Sequence, residues 1–234
     1  MVYFCKYLHQ YFTNIPNFST MYFTIRSAAG FAAILLLLYS FTASAQNNPL
    51  VKYHPVWNDA KYEACNTAKH VSYMNPVEKE VIFILNMMRA YPKQFLNTIV
   101  LKWPEIMERP QLKFSTYFTS LVEDMKPLES LPILQPDSLL WLSARCHAVS
   151  SGNNGYVGHD RLTKECEKLQ RYAGECCSYG TRNSVELIVR LLIDENVPGY
   201  GHRYICLRPA YSRIGVSAQP HKTYGVNVVL DFGW

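Results

Sequence analysis

The segment SRIGVSAQPHKTYGVNVVLDF, residues 212–232, alternates apolar and polar side chains in two runs. Ile214, Val216 and Ala218 form the first; Tyr224, Val226, Val228, Leu230 and Phe232 form the second. Runs of period two, separated by Gln219 to Thr223, predict two strands joined as an antiparallel hairpin. Everything upstream follows a different period. In NPVEKEVIFILNMMRAYPKQF, Val77, Val81, Ile84, Leu85 and Met88 recur at helical spacing. Asn75 and Glu78 have the capping-box spacing, Pro76 suits the first turn, and Tyr91-Pro92 ends or kinks the helix. RNSVELIVRLLIDENVPG carries a second capping-box pair, Asn183 and Glu186. Its wide apolar stripe is Val185, Ile188, Val189, Leu192 and Ile193, and Pro198-Gly199 stops it. A third helix is predicted from about Asp137 to Ser150, with Leu139, Leu142, Cys146 and Val149 on one face. RLTKECEKLQRYA has modest helical character, and residues 101–136, with five prolines, read as an irregular or short-helical connection. Helices first and a hairpin last predict an α+β fold, with helices packed on a small antiparallel sheet.

The N-terminal end reads as an address. Arg26 precedes an apolar run from about Gly30 to Phe41, and Ala43-Ser44-Ala45 completes the pattern of a secretory signal peptide. The run is too short for a comfortable membrane span of about 20 residues. The expectation is a signal peptide over residues 1–45, with Met21 as the true start, and a secreted mature protein, extracellular or periplasmic, with no membrane span. Residues 46–76 then read as an N-terminal extension anchored at Cys65, and residues 77–234 as one domain of ordinary size. Two of the 23 Lys and Arg residues, Lys6 and Arg26, precede Gln46, which leaves only a mild excess over the 18 Asp and Glu. With no basic stripe, nucleic acid is not expected as a partner.

Six cysteines follow the leader: Cys65, Cys146, Cys166, Cys176, Cys177 and Cys206. An even number in an exported chain predicts disulfides, in one of 15 pairings. Cys176 and Cys177 are adjacent, so each is expected to pair elsewhere. A zinc–thiolate site competes, without a CxxC pair to support it.

Three polar residues follow glycines just outside regular elements: His159 in Gly-His-Asp, Glu175 in Gly-Glu-Cys and His202 in Gly-His-Arg. Two imidazoles and a carboxylate can ligate zinc, and the same set can move protons. Backbone-bonded loop histidines are the alternative reading. His147 reads as a boundary-facing helix residue and His221 as a solvated turn residue. Asp194 and Glu195 close a helix at its negative end, where acids are unfavourable, which hints at a use. Arg203 either clamps a ligand carboxylate in the cleft or bonds helix-end carbonyls. No GxSxG, phosphate loop or HExxH is present.

The order of these pieces resembles the CAP superfamily, the secreted domains also called SCP or pathogenesis-related-1-like, in a bacterial type. The likeness runs from about Val77 to Phe232 and is most specific in GHRYICLRPAYSRIGV. It implies an α-β-α sandwich with a cleft in which His159, His202 and Glu175 hold zinc or another divalent metal. The strand from Arg213 would form the floor behind His202. The usual Gly-Glu-Asn is Gly-Glu-Cys here, and no Trp-x-x-Glu supplies a second acid; Asp194 or Glu195 is the approximate stand-in. The family likeness further implies binding of a small or lipid-like ligand or a cell-surface partner, rather than an established catalysis. A secreted hydrolase using Glu175 and His202 as catalytic groups is the alternative, and a disulfide-stapled adhesion module with an inert cleft is the third reading.

Overall fold

A computed structural model describes residues 48–234. The expected leader and its alternative start lie outside the described residues. Eight α-helices are named in chain order: α1 (Pro76–Ala90), α2 (Pro92–Thr98), α3 (Trp103–Ile106), α4 (Thr116–Met125), α5 (Ser138–Asn154), α6 (Lys164–Leu169), α7 (Ser184–Ile193) and α8 (Gly201–Leu207). The strands are β1 (Gln135–Pro136), β2 (Gly174–Tyr179), β3 (Arg213–His221) and β4 (Gly225–Gly233). The sheet order is β1-β3-β4-β2, with β3–β4 and β4–β2 antiparallel and β1–β3 parallel. The fold is α+β, as expected, but the sheet is mixed rather than antiparallel, because two residues of the proline-rich connection add a parallel edge. GECCSYG, which had no assigned element, is strand β2. No helix among the described residues is long and apolar enough to cross a membrane.

Strand alternation sets up two unlike faces. Ile214, Val216, Val226, Val228, Leu230 and Phe232 enter the main core with Cys176 from β2. There they meet α1 and α7; the predicted stripe of α7 is buried throughout, while α1 is buried on every side from Val81 to Arg89 and its Val77 is only partly covered. The other face carries Glu175, Cys177 and Tyr179 from β2, Asn227, Val229 and Asp231 from β4, and Gly215, Ser217, Gln219 and His221 from β3. Helix α5 covers it. Here the expected helix face is reversed. Leu139 is 60 % exposed and Leu142 is also exposed. Leu140, Ser143, Ala144, His147, Ala148, Ser151 and Gly152 face inward instead. Small residues win because the helix lies directly on the strands. A Cβ at Gly215 would stand 2.0 Å from the Trp141 nitrogen, and one at Gly152 would stand 2.1 Å from the Pro220 carbonyl oxygen. Cys146, on the outer side of α5, forms a disulfide with Cys166 of α6.

Capping explains several boundaries. Asn75 and Glu78 form the reciprocal box at the start of α1. Glu78 does more: its Oε1 accepts from the Ala218 N–H at 3.0 Å, where β1 has ended and β3 has an unpaired edge. Asn183 caps α7, but the second expected box does not close, because Glu186 turns to Thr181 instead. The N-terminal extension is held without a Cys65 disulfide. Trp57 and Tyr62 are buried with ring centroids 4.9 Å apart, and Tyr62 stacks edge-on against Tyr91. Asn86 of α1 donates to the carbonyls of Cys65 and Leu134 and accepts from the Leu134 N–H, which joins the extension to β1.

Candidate functional site

Strand β2 is an open edge of the sheet, and a histidine reaches it from each side. His159 arrives from the α5 side, in the loop after that helix. His202 arrives from the core side, in α8. Their ring centroids lie 6.2 Å apart. The structure therefore brings together the two histidines that sequence separates by 43 positions. The element behind them is β2; the strand that begins at Arg213 is β3, two positions away in the sheet. Nor is His202 in a loop: it occupies the first turn of a short helix.

Each imidazole is held by a buried acid. His159 Nδ1 lies 2.8 Å from Glu175 Oε1, and His202 Nδ1 lies 2.7 Å from Asp194 Oδ1. Carboxylates accept, so both Nδ1 atoms carry the hydrogen and donate it. Nε2 of each ring has no protein hydrogen-bond partner among the described residues. Asp194 explains its own position. It ends α7 at a left-handed φ of 55° and turns its carboxylate onto the next helix, where Oδ2 accepts from the His202 N–H at 2.9 Å. An acid unfavourable at one helix end thus serves the N-terminus of another. Glu195 takes no part in this pairing; it pairs with Arg109 at 3.1 Å.

Glu175 holds a second partner besides His159. Arg161 Nη2 lies 2.5 Å from Oε2, and Arg161 Nη1 lies 3.2 Å from Oε1, beside the His159 contact. Both carboxylate oxygens of Glu175 are thus engaged by His159 and Arg161. Burial opposes its ionisation, but His159 and Arg161 outweigh that and hold it at about 2. The same contact raises the His159 pKa above its ordinary value.

Two further residues that sequence reading passed over support this half of the site. Arg161 is 3 % exposed at its side chain and bridges Glu175 to the buried Asp231, 4.0 Å away. Burial first, and then the Glu175 charge, push the Asp231 carboxyl well above the usual carboxylate range. His147 is fully buried, not at a boundary; its Nε2 donates to the Gly158 carbonyl at 2.9 Å and so fixes the loop that carries His159. Burial pushes its pKa down and keeps it neutral. His147, Glu175 and Cys177 also bring ligand atoms within 4.8 Å of one another. Arg161 already supplies the positive charge there, so a dication at that spot would displace or oppose it. His221 is buried rather than solvated; its Nδ1 accepts from the Thr223 and Tyr224 N–H groups and its Nε2 donates to the Tyr156 carbonyl.

Arg203 does not line the cleft. It is fully buried, with Nε donating to the Leu192 carbonyl at 2.7 Å, Nη2 to Tyr117 and Ile193 carbonyls, and Nη1 to Ser120 and Asp124. Of its two expected roles it has the helix-end one. Arg89 does the same for the far end of α8, donating to the carbonyls of Cys206, Arg208 and Tyr211. Between them these guanidinium groups fix the helix that presents His202.

A cleft of about 490 Å³ opens beside His202, lined by Val157, Tyr179, Leu191, Asp194 and Tyr224 among others. Of the six cysteines expected in disulfides, Cys65, Cys176, Cys177 and Cys206 are free and buried. Cys176 and Cys177 sit on opposite faces of β2, so neither neighbour can serve the other. No family model, no curated protein and no solved structure matches the chain.

Proposed function

We propose that His159 and His202 hold one divalent metal ion, zinc or another metal that takes imidazole donors, in an exported CAP-type binding domain. The observation that carries this reading is the pair of neighbouring rings, 6.2 Å apart and tilted by 40°, each with Nδ1 fixed by its own buried carboxylate. That arrangement leaves both Nε2 lone pairs for a ligand and matches the carboxylate–histidine pattern behind protein-bound zinc. Glu175 and Asp194 orient the rings and do not ligate. The remaining coordination positions would face the cleft, open to water or to a donor atom of a bound molecule. Zinc when bound there would polarise such a donor and lower the pKa of a bound water.

The walls support a small, partly apolar ligand, because Val157 and Tyr224 expose apolar surface beside polar Asp194 and His202. Binding is favoured over hydrolysis by one feature of the site. Glu175, held at about 2, is a poor proton acceptor near neutrality and is bound on both oxygens.

Calorimetric titration of zinc into the oxidised protein should give one equivalent bound, lost in the His159→Ala/His202→Ala double variant. Absence of binding in the unaltered protein, or equal binding in the double variant, would overturn the assignment.

A further inference from the structure

We infer that Cys176 and Cys206 form a second disulfide in the exported protein, tying β2 to α8 behind the two histidines. Both side chains are fully buried on the core side of the sheet. Cys176 Sγ lies 3.8 Å from the His202 carbonyl oxygen. In a helix, the side chain four residues on leans back over the turn that carries that carbonyl. Residue 206 is that side chain, and it belongs with Cys176 to the same buried core cluster. No competing thiol is in place among the described residues. Cys177 points to the opposite face, against Ala144 and Ala148, and Cys65 belongs to the extension bound to Asn86 of α1.

Bond formation takes one proton from each thiol and two electrons from the sulfur pair. The electrons reduce an oxidising disulfide to two thiols; its class is a thiol–disulfide oxidoreductase, or glutathione disulfide in the test tube. The Cys146–Cys166 bond already requires the same kind of oxidant. Both thiols are fully buried in the folded chain, and exchange needs contact with the oxidant. Exchange is therefore fastest before β2 and α8 close over the pair, and the bond forms during folding.

The link bears on the site. Glu175 immediately precedes Cys176, and His202 lies one helical turn before Cys206. The connection from α7 to α8 places Asp194, Asn196, Gly199 and Tyr200 at positive φ, so a covalent tie fixes a helix reached through an irregular path. This consequence rests on the metal-binding reading above; the pairing itself does not.

The test is a disulfide map of the protein refolded in a glutathione redox buffer. Free thiols are alkylated under denaturing conditions and unreduced peptides are identified by mass. The expected result is a peptide linking Cys176 to Cys206, with Cys65 and Cys177 alkylated. Alkylation of both Cys176 and Cys206 while Cys146–Cys166 stays linked would overturn the inference, as would a bond from either to another cysteine. In Cys206→Ser, Cys176 should become alkylated, the melting temperature should fall, and zinc affinity should drop several-fold. If the map shows the link but zinc affinity is unchanged in that variant, the disulfide stands and its positioning role fails.

Discussion

On one side of β4, Val226, Val228, Leu230 and Phe232 enter an apolar core shared with α1 and α7; on the other, Asn227, Val229 and Asp231 lie beneath α5. Each large side chain on the first face contributes about 1.5–3 kcal/mol by leaving water. The second face gains far less. Its apolar cluster is Ala144, Ala148, Cys177 and Val229. Most of the buried side-chain atoms without a hydrogen-bond partner among the described residues are here: Ser143 Oγ, His147 Nδ1, Arg161 Nε, Asn227 Oδ1 and both Asp231 oxygens. Such groups cost about 1–3 kcal/mol each when dry. One face supplies stability; the other gives some up to hold Glu175 and the His159 loop at the edge of β2. The difference separates the face that stabilises the sheet from the face that carries the candidate site.

The comparison can be broken by substitution. The largest effect is expected for Arg161→Met, which leaves the buried, ionised Glu175 without its cation. Urea unfolding near pH 7 should show a loss of about 3–5 kcal/mol, and a loss near zero would mean that Glu175 is not compensated by this guanidinium. Next is Leu230→Ala on the core face, at about 2–5 kcal/mol. Val229→Ala, one residue away on the α5 face, should cost less than half as much, and equal costs would erase the distinction between the faces.

Asp231→Asn should act in the opposite direction, by a gain on the order of 1 kcal/mol at neutral pH. Its folded pKa lies above the unfolded one, so between them the unfolded chain has released a proton that the folded chain keeps. Stability therefore falls as pH rises through that window, and the amide removes this slope. Unfolding at pH 4 and pH 7 reads it. Equal destabilisation at both would mean an ionised Asp231 paired with Arg161. The smallest effect, about 1 kcal/mol, belongs to Asn183→Ala at the cap of α7, seen as a lower melting temperature with zinc binding unchanged. Loss of zinc binding there would tie the site to the core face.

What could be read from sequence follows the same division. Helices α1 and α7 and the β3–β4 hairpin are legible because burying apolar side chains imposes a period. Strand β2 is not, because Glu175, Cys177 and Tyr179 give its α5 face no apolar alternation. The inner side of α5 is misjudged for the same reason: its apolar stripe of Leu139, Leu142 and Cys146 is on the outside with the disulfide, while Ser143, His147 and Ser151 point in. Glycine-flanked polar residues and the family-like order named His159, Glu175 and His202, and the awkward placement of Asp194 hinted at its role. Arg161 and Asp231 carried a weaker signal: an arginine two residues after His159, and an acid alternating with Leu230 and Phe232. Only the cover of α5 over that face makes such an acid buried.

The central claim is that Glu175 and Asp194 act through the histidines they hold. Zinc titration of Glu175→Gln and Asp194→Asn beside the unaltered protein tests it most directly, with circular dichroism to verify folding. The account predicts one site in each, weakened about 10- to 100-fold. Unaltered affinity in both folded variants would contradict it.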